Sequence, residues 1–384
     1  MSTTAAQGFR AAGVVAGLKS TGKRDIALVV NEGPKHVAAG VFTSNRVKAA
    51  PVQWTKALLE TAPSLHAVVL NSGGANACTG APGLGDTAAT AQRVAEHLGV
   101  DVSEVAVCST GLIGQRLPME RVITGVDAAY EALSTDGGDD AALAIMTTDS
   151  VPKTAIRAGS GYTIGGMAKG AGMLAPGLAT MLVIITTDAD VDAEALESAL
   201  RPATAHSFDR IDSDGCMSTN DTVLVLANGA SGVKPPQTEF ATLLSEVCAE
   251  LAIKLIGDAE GATKDVRIHV SASATESDAL EVARAISRSN LLKCAIHGED
   301  PNWGRVLSAI GTTTATFDPN EIDVAINGIW VCRDGMAGDD RALVDMSGRQ
   351  VNITVSLRAG DAEAALWTND LTAMYVHENS AYSS

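Results

Sequence analysis

The sequence predicts an α/β protein, and three observations carry that prediction. Apolar runs of strand length alternate along the chain with longer segments whose apolar residues recur at helical spacing. The 37 glycines are dispersed among those runs, above the ordinary share of about 7%, which calls for many tight turns. Hydrophobic residues make up 46% of the chain and aromatics only 3%, so the core is built from Ala, Val, Leu and Ile. A length of 384 residues allows one large or two to three ordinary domains. No Pro/Ser-rich linker divides the chain, and no internal repeat stands out.

The elements follow in order. Residues 11–18 form a short Gly-containing apolar run ending at Lys19, read as a strand rather than a signal peptide. "DIALVVNE" and "HVAAGVFTS" are strands separated by a Gly-Pro turn. "HAVVLNSGGANACTG" is a strand running into a Gly-rich loop. "DTAATAQRVAEHLG" is a helix with Asp86 before its first turn and Gly99 after its last. "SEVAVCSTGLIGQ" is a strand opening onto Ser109-Thr110-Gly111, and "MERVITGVDAAYEAL" is a second helix. "AALAIMTTDSVPK" is a helix ending in the polar corner Thr147-Thr148-Asp149. "KGAGMLAPGLATMLVIITTDA" joins a pliant Gly/Pro loop to a buried strand at Met181–Ile185. "DAEALESALRPATAHSF" reads as a helix broken by Pro202. "SDGCMSTNDTVLVLANG" is a polar loop feeding a strand. "EFATLLSEVCAELAIKLIGDAEGATK" is the longest helical pattern, with Glu260 at its end, and "DVRIHVSASA" is a strand. "DALEVARAISRSNLLKCAIHGEDPNWGRVLSAIG" is helical, interrupted by a charged turn at His297–Arg305 around Trp303. The remainder gives further strands and a terminal strand plus tail.

Charge and composition exclude several classes of function. A net charge of −17 argues against nucleic acid, whose binding rests on Lys and Arg neutralising phosphates. No segment reaches the ~18 consecutive apolar residues of a membrane helix. The six cysteines form no Cys-x-x-Cys pair and stand at no zinc spacing from His. They read as buried, reduced residues of a cytoplasmic protein, and no metal site is expected.

The usual catalytic signatures are also missing. There is no P-loop, no strand-GxGxxG-helix unit, no G-x-S-x-G elbow and no HExxH. Seven scattered histidines supply no triad partner. A nucleophile without a histidine base finds its base elsewhere, and one solution is a Thr or Ser at a chain N-terminus whose own α-amine takes the proton. The ordinary pKa of that amine lies near about 7.7–8.0, close to where a general base works best. An internal Thr acquires it only when the preceding peptide bond is cut. The Ala179-Thr180 seam suits such a cut. Gly170, Gly172 and Gly177 permit tight turns, Pro176 restricts the backbone, and Thr180 heads a rigid apolar strand. By itself this leaves open a plain strand-starting threonine.

Thr180 in "KGAGMLAPGLATMLVIITTDA", together with "CSTGLIG", "AIMTTDSVPK", "GDAEGATK" and "HGEDPNWGR", closely resembles the ornithine acetyltransferase (glutamate N-acetyltransferase) family over essentially the whole chain. The resemblance implies layered sheets and helices like those of N-terminal-nucleophile enzymes, with a topology of its own. It implies self-cleavage between Ala179 and Thr180, giving an α chain (1–179) and a β chain (180–384) headed by the nucleophile. It implies an oxyanion hole from Thr110 and Gly111. It implies substrate contacts from Thr147 in preference to the adjacent Thr148, and from Lys169, Thr180, Glu260, Asn379 and Ser384, where relatives often end in Thr. "SDGCMSTNDT" and "HGEDPNWGR" are expected as scaffolding around the site.

The implied reaction moves acetyl from N2-acetylornithine to glutamate through acetyl-Thr180, in the cyclic route of arginine synthesis. It requires no cofactor, because the acetyl group is recycled. A heterotetramer of two α and two β chains in the cytoplasm is expected. Left open are additional use of acetyl-CoA to make N-acetylglutamate, a role in specialised metabolism, and an uncut, non-catalytic binding protein.

Overall fold

The computed structural model describes residues 2–175 and 181–381. The chain opens with β1 (Phe9–Val14), β2 (Ile26–Asn31), β3 (Val37–Phe42), α1 (Ala50–Thr61), β4 (Ala67–Ser72) and α2 (Gly80–Leu98). It continues with β5 (Val105–Thr110), α3 (Met119–Glu131), α4 (Gly138–Ala144), β6 (Lys153–Ala158) and β7 (Thr163–Lys169). Beyond the seam come β8 (Leu182–Thr187), α5 (Ala193–Ala205), β9 (Thr222–Ala227), α6 (Gln237–Gly257) and β10 (Asp265–Ser273). The last third holds α7 (Glu276–Ser287), α8 (Asn290–His297), α9 (Trp303–Ile310), β11 (Asp323–Ile326), β12 (Ile329–Arg333) and β13 (Met336–Ala337). It ends with β14 (Gln350–Ser356), β15 (Ala362–Asn369) and α10 (Ala373–Ala381).

Two sheets stack face to face. One has the order β1-β2-β4-β5 and the other β3-β9-β8-β7-β6. Between them, Phe9, Val29, Val68 and Leu70 of the first sheet meet Met167, Leu182, Ile184 and Leu224 of the second. The outer face of the first sheet carries α2 and α3, and that of the second carries α5 and α6. The layering is therefore helix, sheet, sheet, helix, the α/β arrangement the sequence predicts. A third sheet, ordered β13-β12-β11-β14-β10-β15, has its own core beneath α7, α8 and α9. It joins the stack where Ile211 bridges Trp367 and the Asn369 amide donates to the Ile256 carbonyl.

Strand β8 explains the continuous "LVII" run. Leu182 and Ile184 face the first sheet, while Val183 and Ile185 face α5 and α6. A strand buried on both faces shows no polar alternation. It pairs antiparallel with β7 and parallel with β9, with Leu182 opposite Thr222.

Some expectations need correcting. Pro202 does not break its helix; α5 continues through it to Ala205. A proline in the last turn costs one hydrogen bond and little else. The terminal segment ends in the helix α10, not in a frayed tail after a strand, and α10 buries no residue, so it left no apolar stripe to read. Helix α1, with Pro51 in its first turn, is an element that the sequence pattern does not announce. The six cysteines are free, as expected, but Cys78, Cys216 and Cys294 are exposed; only Cys108, Cys248 and Cys332 are buried.

Leu251 of α6 is fully buried, and a Cβ built on Gly166 of β7 lies 3.3 Å from its Cδ1. Leu251→Ala is expected to destabilise the fold by about 2–5 kcal/mol. A urea-unfolding midpoint unchanged from wild type would mean that α6 does not rest on the sheet through this residue.

Candidate active site

The parallel pairs β4–β5 and β8–β9 decide where loops gather. Residues just after β5 and just before β9 come to the same end of the stack as the end of β7. The Asn220 amide ties the two sheets there, donating to the carbonyls of Ala75 at 2.6 Å and Ser109 at 2.8 Å.

A cavity of about 300 Å³ opens at this end, and its wall includes Thr110, Gly111, Thr147, Thr148, Lys169, Glu260 and Asn379. Seven residues singled out from separate motifs thus face one space. Thr147 and Thr148 both line it, so both of the alternatives left open for that position reach the pocket. Ala179, Thr180 and Ser384 lie outside the described residues.

Thr110 is the last residue of β5. Its neighbour Gly111 has a φ of +127°, and a Cβ built there would stand 2.6 Å from the Gly73 carbonyl carbon. Only glycine fits that approach without displacing backbone. The Thr110–Leu112 segment is held against Gly73–Ala75 by the Gly73 N–H to the Thr110 carbonyl and the Ala75 N–H to the Leu112 carbonyl, both 2.9 Å.

Lys169, at the end of β7, is 1% exposed, and its ammonium donates to the Thr110 hydroxyl at 3.1 Å. Burial pulls its pKa down, aided by the charge of Lys153 and opposed by Asp149, Asp221 and Glu260. Asp149 lies wholly inside the protein. One oxygen accepts from Lys153 Nζ at 2.6 Å and from the Gly170 N–H at 2.7 Å; the other accepts from the Thr147 N–H at 2.9 Å. Burial alone would raise its pKa, but the charges of Lys169 and Lys153 and these hydrogen bonds win and hold it down at about 2.

Glu260 stands in the turn after α6, which ends at Gly257, rather than in the helix itself. Its N–H donates to the Ala171 carbonyl at 2.9 Å, and its carboxylate accepts from the Asn379 amide at 2.9 Å. That bond, with the Thr372 hydroxyl donating to the Gly261 carbonyl at 2.7 Å, lays α10 along the cavity rim. Asp221 accepts the Met181 N–H at 3.0 Å, and burial holds its pKa well above the carboxylate range.

The loop "SDGCMSTNDT" is more than scaffolding, because Ser218, Thr219 and Asn220 line the cavity. The signal available in the sequence was a polar loop feeding an apolar strand; what it lacked was the pairing that puts β9 beside β8. The "HGEDPNWGR" segment joins α8 to α9. His297 pairs with Asp370 and Asp300 with Arg341, and neither joins the cavity wall. Among the described residues no His/Cys/Asp/Glu group is placed to hold a metal ion.

The profile of the ArgJ family matches residues 10–384. The chain belongs to that family. "Arginine biosynthesis bifunctional protein ArgJ" of Streptomyces coelicolor is 63% identical over all of both chains, and the protein of that name from Thermobifida fusca is 60% identical, again over both full lengths. The crystal structure of ornithine acetyltransferase from Mycobacterium tuberculosis, complexed with ornithine, is 55% identical over 47% of this chain and 96% of its own, with a TM-score of 0.45. Family membership bears out the resemblance drawn from the motifs, and with it an acetyltransferase of arginine biosynthesis. Among the described residues no helix is long and apolar enough to cross a membrane.

Asp149 also makes stability depend on pH. Its folded pKa lies below its ordinary 3.8, so its contribution is present above that value and is lost as pH falls through about 2. The stability gap between wild type and Asp149→Asn, read from urea unfolding, should therefore shrink as the solution is acidified across that window. A gap that stays constant would show that the carboxylate's charge contributes nothing.

Proposed function

We propose that this protein cuts itself between Ala179 and Thr180 and then moves acetyl from N2-acetylornithine to glutamate through acetyl-Thr180. The observation that carries the reading is the convergence of Thr110, Gly111, Lys169, Glu260 and Asn379 on one cavity at the head of β8, the strand that Thr180 leads into.

In the first step the Thr180 hydroxyl attacks the Ala179 carbonyl. The peptide bond becomes an ester and water releases it, leaving an Ala179 carboxylate and a free Thr180 amine. The resulting α chain, 1–179, and β chain, 180–384, stay together because β3, β6 and β7 of one share a sheet with β8 and β9 of the other.

In transfer, the amine takes the proton of the Thr180 hydroxyl as its oxygen attacks the acetyl carbonyl. The oxyanion is received by donors at Thr110 and Gly111. Collapse of the intermediate expels ornithine, whose nitrogen takes back the proton, and the acetyl group remains on Thr180. Glutamate then enters and its neutral amine attacks the ester carbonyl; the carbon–oxygen bond to Thr180 breaks, the Thr180 amine passes the proton of the attacking nitrogen to the Thr180 oxygen, and N-acetylglutamate leaves. Both amino acids carry an α-carboxylate, which the buried Lys169 suits, and Glu260 with Asn379 suits a cationic amine. Thr147 or Thr148 and Ser384 complete the contacts. The acetyl group is recycled, so the reaction consumes no cofactor. Two αβ units in a cytoplasmic heterotetramer are the assembly we expect. A second reading, acetyl-CoA as an alternative donor to Thr180, draws on the word bifunctional in the relatives' name.

Thr180→Ala should leave one intact species by denaturing mass spectrometry and abolish transfer; a variant still split after Ala179 would refute self-cleavage. In Thr110→Val, kcat should fall by about 10²–10³-fold with little change in KM, as steady-state acetylornithine kinetics would show. A loss confined to KM would move Thr110 from the oxyanion to ground-state binding.

A further inference from the structure

Asp149 belongs to no motif role assigned so far and does not itself line the cavity, yet it binds the Thr147 corner of the wall and the residue next to Lys169. Its two oxygens take up three donors from three stretches of chain: Lys153 Nζ in β6, the Gly170 N–H next to Lys169, and the Thr147 N–H in the pocket wall. All of this is enclosed, for the side chains of Asp149 and Lys153 are 0% and 1% exposed. Lys153 is held from its other side by Asp258, at 2.6 Å. Asp258 in turn accepts from the Ser150 N–H at 3.0 Å, which fixes the same corner from outside the cavity.

We propose that Asp149 is a positioning residue for acetyl transfer: one buried carboxylate sets Lys169 and Thr147 against the substrate by tying the end of β7 to the Thr147 corner. The inference rests on the acetyl-transfer reading above. Two backbone N–H groups and a lysine converge on it, so moving or neutralising it frees both walls together. Asn in its place offers a single acceptor oxygen and an NH₂ group, and cannot satisfy three donors.

Electrostatics adds a readout that a purely structural role lacks. The charged or polar groups facing Lys169 are the Thr110 hydroxyl from β5, Asp149 from the corner after α4, Lys153 from β6, Asp221 from before β9, Glu260 from after α6, and Lys19 from the loop after β1. Asp149 leads those that favour the charged form, and Lys153 is a like charge opposing it. Asp258 is not among the leading charges that move Lys169. Without Asp149 the Lys169 ammonium is lost at lower pH, and with it the grip on a substrate carboxylate. Without Lys153 it persists to higher pH.

The experiment measures glutamate binding to the cut protein by calorimetry, from neutral to alkaline pH, alongside transfer kinetics. Asp149→Asn should lower kcat/KM by about tenfold to a hundredfold, and the pH at which glutamate affinity declines should move down. Lys153→Met should move that decline up. Asp258→Asn should lose thermal stability while its pH curve overlays wild type. An Asp149→Asn curve that overlays wild type despite lower stability overturns the proposal and makes Asp149 a fold residue only. If Asp149→Asn does not fold, Lys153→Met decides: an upward shift supports the proposal and no shift overturns it. Failure of the parent reading shows elsewhere, in a wild type that stays uncut or transfers no acetyl.

Discussion

Burial of β8 on both faces is the constraint from which the rest of the molecule follows. One strand cannot cover itself twice, so a second sheet must stack on one side and two helices on the other. Its two edges must also be filled, antiparallel by β7 and parallel by β9. The parallel partner brings the polar loop before β9 to the same end of the sheet as the seam before β8. The antiparallel partner ends in Lys169 at that end too. A buried strand thus positions a polar cavity at its own head.

The charged groups at that head answer to the same burial. Lys169 and Asp149 would each be costly to enclose alone. Together with Lys153 and Asp258 they form a chain of alternating sign in which every buried charge has an opposite neighbour. Such a cluster adds little net stability, since desolvation offsets most of the attraction. What it supplies is fixed geometry around a reaction that needs its donors aimed before the charge appears. The walls of the cavity are unlike in sign, with Lys169 on one and Glu260 on another, which suits a substrate that carries a carboxylate and an amine.

Much of this was legible in the sequence. The α/β class followed from apolar periodicity, and the strand at the seam from its unbroken run of Leu, Val and Ile. The resemblance of spaced motifs leads to the ArgJ family and points to Thr110, Gly111, Lys169, Glu260 and Asn379. What failed had a physical reason. α10 packs through backbone and through Asn379 rather than an apolar stripe, so no periodicity announced it. Pro202 sits where a helix tolerates it, and proline alone does not reveal which turn it occupies. Three cysteines read as core residues are exposed, because composition says nothing of which face a small residue takes.

The sequence by itself determined the kind of layers, the family and the candidate nucleophile, because those depend on local pattern and on motifs that survive in order. The tertiary structure decided which of the polar loops meet. Ser218, Thr219 and Asn220 join the cavity only because β9 runs parallel to β8. Asp149 becomes central only because its carboxylate, four residues from Lys153 in sequence, also reaches Gly170 across the fold. Contacts of that kind are set by strand order and burial, which no short stretch of sequence encodes.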